Sequence, residues 1–381
     1  MTAAEGGPVA PGRQFRRHWS SLADLVWLNT PSIAPAADTV AEALRRAIGR
    51  WQRGEPVIDD WEADLEASRT LLARLLGQPR ETVALVGSLA EAASLVAASL
   101  PPGRVVVAAE EFRSNLFPWL TLGERRHEVV VVPPRRGLVA DADLIAAITP
   151  QTTLVAVSEV TSWDGQRRDL GAIMEAARAN GTRVFANLTQ SAGVLRHDLA
   201  ADRPDYLAGH CYKWLLAPRG TGFLSVRPEL LDELRPLTPS WRTPAEPYRR
   251  LFGGPFEAAA DASKLDAPPA WLSWIGGRAG LELIAGLDAD AVDDHCLALA
   301  AAYAAELPRL GLRPVASRLS QIVVAQTAKA AEYVALLGRC GIVAAANGDR
   351  LRVGFHAFNT EQDVAAALAA LRPNDKQGRI H

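Results

Sequence analysis

The stretch GHCYKWLLAPRGTGFLSVR, residues 209–227, places one lysine, Lys213, between Tyr212 and Trp214 and follows it with a glycine-punctuated apolar run. Lysines usually sit in solvent; these flanks are those of a pocket wall. The segment before it, DYLAGHC (205–211), and the one after, GTGFLSV (220–226), read as β-strands. Lys213 therefore falls at the carboxyl end of a strand. Five further β-rich runs precede it: TVALVG (82–87), RVVVAA (104–109), EVVVVP (128–133), TLVAVS (153–158) and RVFANL (183–188). Helical stretches lie between them, among them LAEAASLVAASL (89–100), DADLIAAI (141–148) and LGAIMEAARANG (170–181). Apolar strands without polar alternation, separated by helices, predict an α/β fold with a mostly parallel, seven-stranded sheet covered on both faces.

Outside this core the pattern changes. DTVAEALRRAIGRWQ (38–52) and DWEADLEASRTLLARLLG (60–77) read as amphipathic helices, and residues 1–13 as a loose Gly/Pro/Ala-rich segment. After about residue 230 comes a Pro/Gly-rich stretch, then two helical segments beginning near AWLSWIGG and DDHCLALA. SQIVVAQT, GIVAAANGDRLRVGFH and TEQDVAAALAALR form a small α/β unit at the end. The 381 residues are 49% hydrophobic, enough for a sizeable core. A net charge of −2 gives no general attraction for nucleic acid or anionic lipid, so no nucleic-acid or membrane partner is expected. Three cysteines, Cys211, Cys296 and Cys340, are widely spaced without a CxxC pair. That disfavours a disulfide framework or a zinc site and fits a reducing cytoplasm. No signal-peptide core and no membrane-length apolar run are present.

A lysine reacts with carbonyl compounds when a pocket lowers its pKa and exposes its amine. In open parallel sheets such pockets lie at the carboxyl ends of strands. The segment CYKWLLAPRGTGFL resembles the lysine segment of the pyridoxal phosphate enzymes of aminotransferase class V. That group contains cysteine desulfurases, kynureninases, isopenicillin N epimerase-like proteins and ergothioneine C–S lyases. The resemblance recurs in order from about residue 27 to residue 370. It implies fold type I, with an N-terminal segment over 1–30, a large cofactor-binding domain over 31–245, helices within 246–290 near an interface, and a small domain over 291–381. It also implies pyridoxal 5'-phosphate held covalently by Lys213, and an obligate homodimer with shared active sites. The loop KLDAPPAW (264–271) matches the region that reaches across, with Trp271 and Trp274 near that interface.

The same resemblance assigns the remaining site residues. VGSLAEAASLV (86–96) resembles a phosphate loop, giving Ser88 and the amides of Leu89 and Ala90 to the phosphate, where a helix N-terminus favours an anion; Ser88 equally suits a helix cap. Tyr212 and His210 are further phosphate-side candidates, His210 with a buried structural role as its alternative. EEFRSNLFPW (110–119) resembles the segment covering the cofactor ring, with Phe112 where desulfurases carry a stacking histidine. Phenylalanine carries no proton, so the imidazole relay is absent. In VFANLTQSAG (184–193), Gln190 inherits a contact to the phenolic oxygen. Residue 187, where the family has aspartate, is asparagine. A carboxylate there keeps the ring nitrogen protonated, whereas an amide only hydrogen-bonds it. A weaker electron sink is the expectation. Arg352, in DRLRVGFHAFNTEQDV (349–364), takes the substrate carboxylate as a bidentate fork; Asn29 resembles the segment lining the substrate mouth, and Glu159, a further substrate-side residue, falls where relatives carry asparagine or histidine near the ring, with a surface carboxylate as its alternative.

No cysteine sits where a sulfur-accepting lid is expected. The leading expectation is a C–S β-elimination lyase acting on an S-substituted cysteine in specialised metabolism. The alternatives are an epimerase, an aminotransferase or a decarboxylating or oxidative deaminase on a similar amino acid, and a cofactor-binding protein that has lost turnover.

Overall fold

The computed structural model describes residues 9–122, 127–135, 137–197 and 203–372. Its strands are β1 (Val26–Trp27), β2 (Val83–Val86), β3 (Arg104–Ala108), β4 (Glu128–Val132), β5 (Thr152–Ser158), β6 (Arg183–Asn187), β7 (Tyr206–His210), β8 (Gly222–Val226), β9 (Ile322–Gln326), β10 (Ile342–Val343), β11 (Ala345–Asn347) and β12 (Arg350–Gly354). Seven of them form one sheet in the order β2-β8-β7-β6-β5-β3-β4. Strand β8 is antiparallel to both neighbours, and the other pairings are parallel. Every residue of β2, β7 and β8 is buried. Helices lie on both faces, so these strands have no solvent side and no reason to alternate.

One apolar cluster joins β2, β7 and β8 to helix Leu89–Ser99, through Val86, Leu95, Val96, Ala208 and Leu224. The opposite face is covered by Leu65, Leu72, Trp214, Trp274 and Leu281 from helices Ile58–Leu76 and Trp271–Ala285 and the lysine segment. Each fully buried Leu or Val there stabilises the fold by roughly 1.5–3 kcal/mol. Because β8 reverses between β7 and β2, the carboxyl ends of β2, β3, β5, β6 and β7 all lie on one edge of the sheet. Their loops form the cleft.

The C-terminal unit is a three-stranded antiparallel sheet, β11-β12-β9, packed on helices Ala289–Glu306, Ala330–Arg339 and Glu361–Leu371. The N-terminal residues are tied to it. Val26 and Trp27 pair in parallel with Ile342 and Val343. Phe15 and Trp19 are buried against His356 and Phe358. Residues 9–13, expected to be loose, are anchored, since Val9 N–H donates to Gly286 and Gly12 N–H to Ala357. Residues 1–8 lie outside the described residues. The loop 264–271 is fastened to its own chain. Asp266 accepts from Arg69 at 2.6 Å, from Arg242 at 3.3 Å and from the Leu85 N–H at 2.9 Å. Trp274 is a core residue, and Trp271 donates to Glu62 at 2.7 Å.

The Arg69 and Asp266 side chains are 3% and 2% exposed. Removing one partner strands a buried charge, which typically costs about 3–5 kcal/mol. D266A is therefore expected to lower the unfolding free energy from guanidinium titration by that amount, whereas removing the exposed Glu246 contact to Arg249 should cost under about 1 kcal/mol.

Candidate active site

Strand β7 ends at His210, and the chain turns through Cys211, Tyr212 and Lys213 beneath the cleft. The turn is tight: Ala217 N–H donates to the Cys211 carbonyl, and Leu216 holds a left-handed φ of 59°. For a γ-branched residue that conformation is strained. It is held by packing, since Leu216 and Trp214 are both buried in the core.

Lys213 is 6% exposed. Its Nζ lies 5.7 Å from the ring centroids of both Phe112 and Tyr212. Burial, together with the positive charges of Arg352 and Arg219, pulls its pKa down to about 7. Among the described residues no carboxylate forms an ion pair with it. The amine is therefore substantially neutral at physiological pH, which is the nucleophilic form.

The cleft walls are Leu89, Glu110, Glu111, Phe112, Ser158, Val160, Thr161, Ser162, Asn187, Thr189, Gln190, His210 and Lys213. They come from the ends of β3, β5, β6 and β7 and from the helix that follows β2. Phe112 is half exposed and caps helix Arg113–Leu120. At the opposite end Ser88 is the N-cap of helix Leu89–Ser99, its hydroxyl accepting from Glu91 N–H at 3.2 Å. The first-turn amides of Leu89 and Ala90 have no intrahelical partners, so this end offers donors to an anion.

Several assigned side chains have further partners. Gln190 donates to the Pro31 carbonyl at 3.0 Å and accepts from the Trp214 indole at 2.7 Å, leaving one amide hydrogen. The His210 ring lies tilted against Tyr212, 4.8 Å between centroids, and burial with Lys213 and Arg219 pulls its pKa to about 4. It is therefore a neutral imidazole, with Nδ1 buried and unpartnered among the described residues. The Arg219 guanidinium lies over the Tyr212 ring, 5.4 Å from its centroid. Arg352 is held by the Ser162 hydroxyl at 2.5 Å and the Ser32 hydroxyl at 2.6 Å. Both are neutral, so its charge is uncompensated, and burial lowers its pKa to about 10. Asn29 is half-buried in the adjoining loop, with Oδ1 unpartnered among the described residues.

Glu159 is a correction. Expected beside the substrate, it is absent from the cleft wall and its carboxylate faces His197 at 3.1 Å and Arg167 at 3.7 Å. Burial alone would raise its pKa, but these two cations outweigh burial and lower it. Its role is a buried ion pair behind β5.

The sequence reading missed Glu111, Ser158, Thr189, Ser162 and Ser32. Ser158 carried a usable signal, as the last residue of an apolar strand whose carboxyl end faces the cleft. The two Arg352 partners carried none, because they meet it only in three dimensions.

Across residues 54–366 the chain matches the family model described as aminotransferase class-V. The chain belongs to that family. Class V members are pyridoxal phosphate enzymes, and pyridoxal 5'-phosphate is the cofactor. This class V chain is 28% identical over 311 residues to an uncharacterized aminotransferase, YcbU, of Bacillus subtilis, covering 80% of this chain and 82% of the relative. It is 34% identical over 190 residues to isopenicillin N epimerase of Streptomyces clavuligerus, covering 48% of this chain and 46% of that enzyme. The crystal structure of the cysteine desulfurase CsdA from Escherichia coli superposes with a TM-score of 0.81 at 26% identity, over 94% of this chain and 96% of that one. The fold is the fold type I architecture of these enzymes.

The residues present fit the cofactor on their own chemistry. The cleft holds a desolvated amine without a carboxylate partner, a flat aromatic ring beside it, and free helix amides at one end. When bound, the cofactor supplies an electron sink that acidifies the bond to the α-hydrogen of an amino acid.

Capture of the cofactor aldehyde should follow the neutral fraction of Lys213. The rate of reconstitution is expected to rise about tenfold per pH unit below about 7 and to level off above it. Stopped-flow absorbance checks this, and after borohydride K213A should yield no pyridoxyl-lysine peptide.

Proposed function

We propose that this class V enzyme is a C–S lyase that cleaves an S-substituted L-cysteine to a thiol, pyruvate and ammonia, with one water consumed. In this reading Arg352 binds the substrate carboxylate through the donors not taken by Ser162 and Ser32. Lys213 holds the cofactor and, once exchanged for substrate, takes the α-proton. The C–S electron pair leaves with sulfur. Ser88 and the amides of Leu89 and Ala90, with Tyr212 and His210, hold the phosphate. Phe112 lies on the ring, Gln190 meets the phenolic oxygen and Asn187 the ring nitrogen. Asn29 lines the mouth.

The observation that carries this reading is the set of proton and sulfur carriers around the cleft. Lys213 faces Phe112, which transfers no proton, and His210 is held neutral by burial. Phe112 therefore cannot serve as a second base for an epimerisation, and the burial that pulls His210 to about 4 leaves its imidazole a weak one. A desulfurase needs a thiol to accept sulfur. Cys211 is fully buried with its thiol pushed up to about 12, Cys296 is buried, and exposed Cys340 caps helix Ala330–Arg339 outside the cleft wall. The similarity to an isopenicillin N epimerase supports epimerisation as the second reading.

A homodimer is also proposed. The exposed run Tyr248, Leu251, Phe252 and Phe256, with Phe252 90% exposed, supports a covered face.

The test is incubation of the reconstituted enzyme with a panel of S-alkyl and S-aryl cysteines. Pyruvate and free thiol in equal amounts are the expected products, and C340A should give them at the wild-type rate. D-amino acid without pyruvate would establish the second reading instead. R352K retains the charge but loses the fork, and its KM should rise about ten- to a hundredfold, the equivalent of one or two charged hydrogen bonds.

A further inference from the structure

The carboxamide of Asn187 has a single orientation, and the reason lies behind it. A backbone N–H can only donate, so the Asn187 atom 2.9 Å from Thr189 N is the carbonyl oxygen. The amide nitrogen then faces the Ser158 hydroxyl at 2.7 Å and donates to it. That hydroxyl has one proton, and having accepted from Asn187 it directs the proton to Glu111 Oε2, 2.5 Å away. Glu111 also accepts from Ser158 N–H at 2.6 Å and from Asn115 Nδ2 at 2.9 Å.

Three donors thus converge on one buried carboxyl, a pattern suited to its ionised form. Burial is the largest influence and leaves the Glu111 pKa raised on balance, with these donors and the charge of Arg168 acting against that rise, so it is the convergence of donors that argues for the ionised form. Arg168 is itself buried, with Nε and Nη2 unpartnered among the described residues.

We infer that Glu111 is a positioning residue which, through Ser158, pins Asn187 so that its carbonyl oxygen accepts a hydrogen bond from a protonated cofactor ring nitrogen. A freely rotating amide offers that nitrogen either a donor or an acceptor. Pinned by Thr189 and Ser158, the amide keeps its oxygen at a fixed place with one lone pair uncommitted. A chain of hydrogen bonds ending on an anion also strengthens the acceptor at its far end. On this inference the pinned amide supports a stronger sink than an isolated amide would. Negative charge is supplied from two residues away. This inference rests on the reading that Asn187 meets the ring nitrogen.

The experiment reconstitutes the enzyme with cofactor labelled with 15N in the ring and records the nitrogen chemical shift. Wild type should show the protonated position. E111Q and S158A should move it toward the unprotonated position while retaining lysine-bound cofactor, and S158T, which keeps the hydroxyl, should restore it. N187D supplies the carboxylate directly, so adding E111Q to N187D should leave the shift unmoved. A wild-type resonance at the unprotonated position, or an unchanged shift in E111Q and S158A, overturns the inference while leaving the cofactor assignment intact. Absence of any lysine-bound cofactor in wild type overturns both. The wild-type spectrum alone decides the question if the variants do not fold.

Discussion

The site depends on one unfavourable act of burial. Lys213 is taken out of water and given aromatic rings and two like charges for company, with no carboxylate paired to it among the described residues. The fold meets this demand from outside the cleft. Strands β7 and β8 are wholly buried, the turn after β7 is locked by core packing at Leu216, and Trp214 is pinned by Gln190. A lysine on a looser turn would swing toward solvent and regain its proton. The rigidity of the turn and the reactivity of the amine are therefore one property seen at two scales.

Charge is distributed with the same economy around the cleft. The two carboxylates in the cleft wall have their own partners, Glu111 in Ser158 and Asn115 and Glu110 in the Val139 N–H. The cations nearest Lys213 are left without such compensation. Arg352 is oriented by two serine hydroxyls, which fix its direction without neutralising it. A cleft arranged this way presents uncompensated positive charge and free helix amides to an incoming anion.

Much of this was legible in the order of residues. The seven sheet strands were read to within one or two residues at each end, because continuous apolar runs between helices have few other uses. Lys213 was legible because its neighbours are wrong for a surface. The reversal of β8 was not, since a buried strand reads alike in either direction. Glu159 was misplaced because linear position puts it at a strand end, whereas His197, 38 residues later, decides where its carboxylate points. Glu111 and Ser158 gain their meaning only by meeting across β3 and β5. The anchoring of residues 9–13 was hidden for the same reason: its partners lie near residues 286 and 357.

His356 lies at the junction of the two halves of the molecule. Its ring stacks on Phe358 at 4.7 Å and on Trp214 at 5.5 Å, and its Nε2 meets the Trp214 carbonyl at 3.1 Å. Burial drives its pKa to about 3, so the imidazole stays uncharged across the physiological range. Arg352 is four residues upstream on the strand that leads into this contact. The strand that carries this guanidinium and the peptide beside the buried amine are thus fastened to one another by a single uncharged ring, so opposite walls of the cleft share a joint.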